Sequence, residues 1–198
     1  MGDEPTTTDP IVERLQAVTI GEIERRDIVL VAHDPAWHGR FAQEAQRISE
    51  ALGDTARRVE HVGSTAVPDL DAKPIIDILL VVDDPTDETT YVPALEQAGY
   101  RLRVREPEFH EHRMLRTPAR DVHLHVFGPH APEVDRMVLL RDTLRIAPAE
   151  RHRYERTKRA LATREWPTMQ HYADAKSTIV EQILQRAGAA RAGNEHVG

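Results

Sequence analysis

Cysteine is absent from this chain, so neither a disulfide nor a thiolate metal site can form within it. Long apolar runs are missing too, and no window approaches the ~20 residues needed to cross a bilayer as a helix. Basic residues are in the minority, with 26 Lys and Arg against 33 Asp and Glu and a formal charge of −7. That balance argues against a broad nucleic-acid footprint, although the arginine-rich second half leaves room for a local basic pocket. The opening stretch MGDEPTTTDP is polar and acidic, unlike a secretory signal, and its Met-Gly start lacks further context for lipidation. Internal repeats and low-complexity tracts are lacking as well. What is there is an ordinary soluble composition, 40% apolar and 30% charged, over 198 residues. The expectation is one domain in the cytoplasm, with no membrane contact.

Residues 1–27 read as a polar N-terminal extension with a short helix from Asp9 to Val18. A strand is expected at Ile28–Ala32. Asp34-Pro35 then marks a helix start, and Phe41, Ala45, Ile48 and Leu52 line one helical face up to Gly53. Strands are expected at about 57–62 and 75–82, the second being the most apolar run in the chain and fit for a buried position. A helix to Ala98, strands at about 100–104, 112–116 and 122–127, and helices at about 133–145, 148–164 and 170–187 follow. Residues 188–198 read as a flexible tail. The order predicts an α+β fold: a mixed β-sheet flanked by helices, with one domain over 28–187 whose part from 133 onward is helical.

Three features carry chemistry. Gly63-Ser64 follows a strand and is either an ordinary turn or a loop whose backbone approaches a phosphate. Asp77 interrupts the apolar strand. A carboxylate there is costly unless it is paired, for instance with Lys73 or an arginine, or belongs to a site, and the site reading is preferred. His123 and His125 are two apart on a strand, so they face one side and could chelate a metal, hold an anion, or simply form the polar face of a hairpin. Arg113, Arg116, Arg141 and Lys176 are candidate cations for a phosphate or carboxylate. Arg145 and the stretch ERTKRALATRE read as solvated helix surface.

The stretch VEHVGSTAVPDLDAKPIIDILLVV resembles the signature of the GrpB family, and the resemblance continues through DPAW, ALEQAGY, HLHVF, LLRDTLR and YADAKSTIVEQIL, over about residues 28–187. The GrpB family in turn resembles the polymerase-beta-like nucleotidyltransferases, where a Gly-Ser turn grips a nucleoside triphosphate and a strand shortly downstream carries paired carboxylates for Mg²⁺. The resemblance implies a nucleotidyltransferase-like protein that binds a nucleoside triphosphate, ATP by expectation, with Mg²⁺ and no organic cofactor, and transfers a nucleotidyl group to a small-molecule acceptor. Ser64 and Asp77 would be catalytic. Asp77, His123 and His125 would hold the metal, and His61, Gly63, Ser64, Lys73, Arg113, Arg116, Arg141 and Lys176 would contact substrate. The chain departs from the paired pattern, having Ile75 and Leu79 on either side of Asp77 where a second acid is sought, with Glu60 and Asp121 as possible substitutes. A non-catalytic nucleotide- or anion-binding module, or one that assists a partner, is the alternative on the same fold. A histidine-based metallohydrolase centred on His110, His112, His123 and His125 is a third idea.

Overall fold

The computed structural model describes residues 9–23 and 27–195. Five strands form one mixed sheet: β1 (Arg58–Val62), β2 (Ile76–Val81), β3 (Arg101–Glu106), β4 (His112–Arg116) and β5 (Val122–Phe127), in the spatial order β1-β2-β5-β4-β3. β2 and β5 run parallel at the centre, and every other neighbouring pair is antiparallel. β2 has a strand on each edge and the main core against one face, which suits its nearly continuous apolar run.

One face of the sheet is covered by α2 (Ala36–Leu52) and the short α3 (Val92–Gln97). Asp34 accepts from the Ala36 N–H at 2.9 Å and so starts α2 where the Asp-Pro pair implied. Trp37, Ile48 and Leu52 then turn inward and pack with Ile76, Ile78, Leu80, Leu124, Val126, Tyr91 and Leu95 in the main core. The other face carries the alternate residues of the same strands. There, Leu79, Val81 and Phe127 meet Val134 of α4 (Pro132–Ile146). Three more helices, α5 (Pro148–Ala162), α6 (Met169–Ala175) and α7 (Ser177–Glu195), complete a helical C-terminal part with its own small core of Leu144, Tyr154, Ile179 and Ile183 against Val67 and Leu70. None of the helices among the described residues is long and apolar enough to cross a membrane.

The N-terminal helix α1 (Pro10–Val18) begins on Asp9, whose carboxylate caps the Ile11 N–H at 2.9 Å and reaches the His171 ring at 2.7 Å. A bridge between Thr19 and Val104 fastens the other end to β3. α1 is thereby tied at both ends to the body of the protein.

Two elements differ from the sequence expectation. Ile28–Ala32 does not join the sheet: its one ladder contact is Val31 with Ala72, and Val29 remains 58% exposed. The expected helix at 170–187 is two helices that break at Lys176, and the second continues to Glu195, past the expected start of a tail at 188. No Gly or Pro marks that break. Residues 196–198 lie outside the described residues.

Ile78 is fully buried at the centre of the main core. Ile78→Ala is expected to cost about 2–5 kcal/mol of stability, through lost transfer energy and an unfilled cavity. Equilibrium urea unfolding checks this, and a loss below 1 kcal/mol would contradict that packing.

Candidate metal and anion site

In the parallel register of β2 with β5, Asp77 stands beside His123 and Leu79 beside His125. Side chains alternate along a strand, so Asp77, His123 and His125 share the face opposite the main core. Asp77 Oδ1 lies 3.5 Å from His123 Nδ1 and 3.6 Å from His125 Nε2. The three side chains can present ligand atoms that all lie within 4.8 Å of one another. Both gaps exceed a good hydrogen bond, and one carboxylate with two imidazoles is a donor set that suits a divalent ion with further positions open. Burial alone would raise the Asp77 pKa, but its interactions with His123 and His125 outweigh that and hold the carboxyl well below its usual range.

Gly63 sits directly against this carboxylate. Its φ is +70°, in the region that favours glycine, and a Cβ added there would lie 2.5 Å from Asp77 Oδ2. The chain then makes one turn of 3₁₀ helix over Ser64–Ala66. Thr65 holds that turn by donating to the Ile75 carbonyl at 3.0 Å, just before β2 begins. The glycine is therefore required twice over, by its dihedral and by the carboxylate on the next strand.

Ser64 meets a lysine from the helical part. Lys158 is 2% exposed on α5, and its ammonium donates to Ser64 Oγ at 3.1 Å and to the Asp71 carbonyl, above the Tyr154 ring at 4.9 Å. Desolvation, reinforced by Lys176 and Lys73 and only partly offset by Glu155 and Asp71, pushes its pKa down to about 7. Lys176 stands at the α6–α7 break, its ammonium 4.7 Å from the Tyr172 ring centroid, with Lys73 at 5.4 Å from the same ring. Burial lowers the Lys176 pKa, with Asp77 opposing. The Tyr172 hydroxyl is buried and has no hydrogen-bond partner among the described residues. Three lysines, an orphan hydroxyl, the Gly63-Ser64 turn and the Asp77 cluster all line one cavity of about 520 Å³. Leu15, Val18 and Thr19 of the N-terminal extension close part of its wall. A cavity of that size is in the range of small-molecule sites, and its cations suit an anionic ligand.

The structure thus brings together Gly63, Ser64, Lys73, Asp77, Arg116, His123, His125 and Lys176. Three other sequence candidates lie elsewhere. His61 faces the main core, stacked on Phe41 at 4.7 Å and bonded to Thr65 Oγ1 at 3.1 Å, and burial pushes its imidazole down to about 4. Arg113, buried on the same face, gives its guanidinium to Glu88 at 2.7 Å. Arg141 is clamped by Glu60 at 2.6 Å, the His61 carbonyl at 3.0 Å and Asp142 at 2.8 Å. It joins α4 to β1. Glu60 is therefore taken up by that clamp, and Asp121 by Arg40 at 2.7 Å and Thr117 at 2.6 Å, so neither reaches Asp77 as a second acid. His110 is exposed in the turn between β3 and β4 beside Phe109. Lys158 is the residue that sequence reading missed. Its signal was present: Tyr154, Lys158 and Leu161 fall at spacings of four and three, on the buried stripe of α5.

A lysine whose pKa falls from 10.5 to about 7 on folding binds fewer protons in the native state between those values, so its burden on stability lessens as pH rises through that window. Lys158→Met should stabilise the ligand-free protein most at pH 6 and progressively less toward pH 10, as read by thermal melts. A pH-independent difference would contradict the buried ammonium. Gly63→Ala should lower the melting temperature and displace the Asp77 carboxylate, and an unchanged melt would contradict the close approach.

Residues 27–186 match the GrpB protein family. A UPF0157 protein of Halalkalibacterium halodurans is 53% identical over 191 residues, 96% of this chain and 98% of that protein. A dephospho-CoA kinase of Mycobacterium leprae is 28% identical over 187 residues, 80% of this chain but 46% of that protein. Among solved structures, the conserved protein GrpB from Enterococcus faecalis superposes with a TM-score of 0.67 at 30% identity, covering 80% of this chain and 98% of its own. Family match, sequence identity and shared fold agree: the chain belongs to the GrpB family.

Proposed function

We propose that the cavity binds a nucleoside triphosphate, ATP by expectation, together with a divalent cation, and that the protein transfers a nucleotidyl group to a small-molecule acceptor. The observation that supports this best is the meeting of the Gly63-Ser64 turn, Asp77 and Lys158 at one wall of one cavity. Backbone N–H groups beside Ser64 and the ammonium groups of Lys73, Lys158 and Lys176 neutralise the phosphates. Asp77, His123 and His125 hold the cation, for which the resemblance suggests Mg²⁺ and which supplies charge stabilisation at the phosphates. Arg116, which also lines the cavity, is a further candidate contact for the same ligand or the acceptor. The stretch shared with a protein named dephospho-CoA kinase supports a phosphoryl-bearing ligand.

One observation favours a second reading, binding without catalysis. On Asp77's face of β2 the next position is Leu79, which packs with Val62 and Phe127 where a paired acid would stand. The usual two-metal chemistry needs more carboxylates than this cluster holds.

Thermal shift with ATP, with and without divalent cation, tests the binding step. A ligand at a hundred times its Kd adds about 2.7 kcal/mol, and the shift should be largest with cation present. Lys158→Ala should remove most of it, and Asp77→Asn should remove the cation dependence while leaving the fold intact. Pyrophosphate release in the presence of pooled small-molecule acceptors separates the two readings: release supports transfer, and binding without release supports the module. No shift with any nucleotide would overturn both.

A further inference from the structure

We infer that Glu106 and His112 form an outer shell which orients His125 for a nitrogen-preferring divalent transition ion, such as Mn²⁺, Fe²⁺, Co²⁺ or Zn²⁺, in preference to Mg²⁺; this rests on the cation reading of Asp77, His123 and His125 given above. Glu106 ends β3 and stands opposite His112 of β4 in the antiparallel register. Its carboxylate accepts from His112 Nδ1 at 2.8 Å. The far nitrogen of the same ring, Nε2, lies 3.2 Å from His125 Nδ1. The His112 ring is 6% exposed and packs parallel to Phe127, with centroids 4.6 Å apart. It has no freedom to flip without losing both partners.

That chain of bonds assigns the hydrogens. A carboxylate accepts only, so the hydrogen of His112 is on Nδ1, and Nε2 of the neutral ring accepts the hydrogen from His125 Nδ1. The hydrogen of His125 is then spent on His112, and its Nε2 keeps a bare lone pair. That lone pair faces Asp77 Oδ1 across 3.6 Å. In that neutral tautomer His125 gives Asp77 no hydrogen, and a cation between the two acceptors takes the place of the histidine hydrogen that otherwise holds the carboxylate. The carboxylate–imidazole–imidazole order is the arrangement by which an outer shell fixes a ligand's tautomer and raises its basicity. Two imidazoles among three protein ligands favour the ions that bind nitrogen well, whereas Mg²⁺ binds through oxygen and water.

The test is titration of metal-stripped, untagged full-length protein with Co²⁺, followed by calorimetry and by the visible absorption of nitrogen-ligated cobalt. The wild type should take up one Co²⁺ per chain and keep it against an equal concentration of Mg²⁺. His112→Phe retains a ring against Phe127, so its fold can be verified by its melting curve, and it should weaken Co²⁺ binding by about 10–100-fold. Glu106→Ala should do the same. Glu106→Gln, whose amide oxygen still accepts from Nδ1–H, should bind nearly as the wild type does. If binding is lost in Asp77→Asn but unchanged in His112→Phe and Glu106→Ala, the outer shell is overturned and the cation site stands. Equal competition by Mg²⁺ overturns the ion preference. No cobalt uptake by the wild type overturns the cation reading itself, and this inference with it.

Discussion

A charged carboxylate stands on an interior strand of the sheet, and its neighbours are arranged around it. Asp77 cannot shed its charge cheaply in the company of two histidines, and it cannot be left uncompensated in a half-buried position. The residue across the turn must be glycine because Asp77 fills the space of its side chain. The residues beside it on β5 are the two histidines, delivered by a parallel register that would bring apolar residues instead if it slipped by one position. Further out, Lys176 of the helical part feels the same negative charge, which opposes the fall of its pKa on burial. The demand of one buried charge thus reaches from the sheet into the helical part.

The two faces of the sheet serve different ends. The face under α2 and α3 carries the larger apolar core of the molecule. The opposite face is only partly covered: α4 packs on the Leu79–Val81–Phe127 end, and the Asp77 end opens into the cavity. The helical C-terminal part closes that space from above, its position set by Arg141 on β1 and by Arg145, which donates to the Ala66 carbonyl at 2.9 Å. Arg113, Arg141 and Arg145 are used here as structural ties, while Lys73, Lys158 and Lys176 line the cavity together with Arg116. The N-terminal helix, anchored by Asp9 on His171, adds a wall, so the extension takes part in forming the candidate site.

The sheet was legible in the sequence because its strands are short runs, apolar in β2 and mixed apolar and polar elsewhere, bounded by turn residues. The β4 and β5 limits agree with the expected ones at both ends. Gly63, Ser64, Asp77 and the His123–His125 pair were legible because each breaks a local pattern: a glycine after a strand, an acid inside an apolar run, two histidines at a strand spacing. Arg113 and Arg141 misled because an arginine's local sequence does not reveal which carboxylate it will meet, and here the partners are 25 and 81 residues away. Lys158 escaped notice because charge-rich helices are usually solvated, although its place on the stripe with Tyr154 and Leu161 marked it as inward. The Glu106–His112–His125 chain spans three strands, so only the strand register could show it.

Phosphate and cation are proposed to meet between the Gly63-Ser64 turn and Asp77. A crystal structure of the protein with Mn²⁺ and a non-hydrolysable ATP analogue, with anomalous diffraction to locate manganese, tests it most directly. A manganese peak is expected within coordinating distance of Asp77, His123 and His125, with phosphate oxygens on the Ser64 turn and Lys158. A nucleotide bound outside this cavity, or an anomalous map with no peak at Asp77, would contradict it.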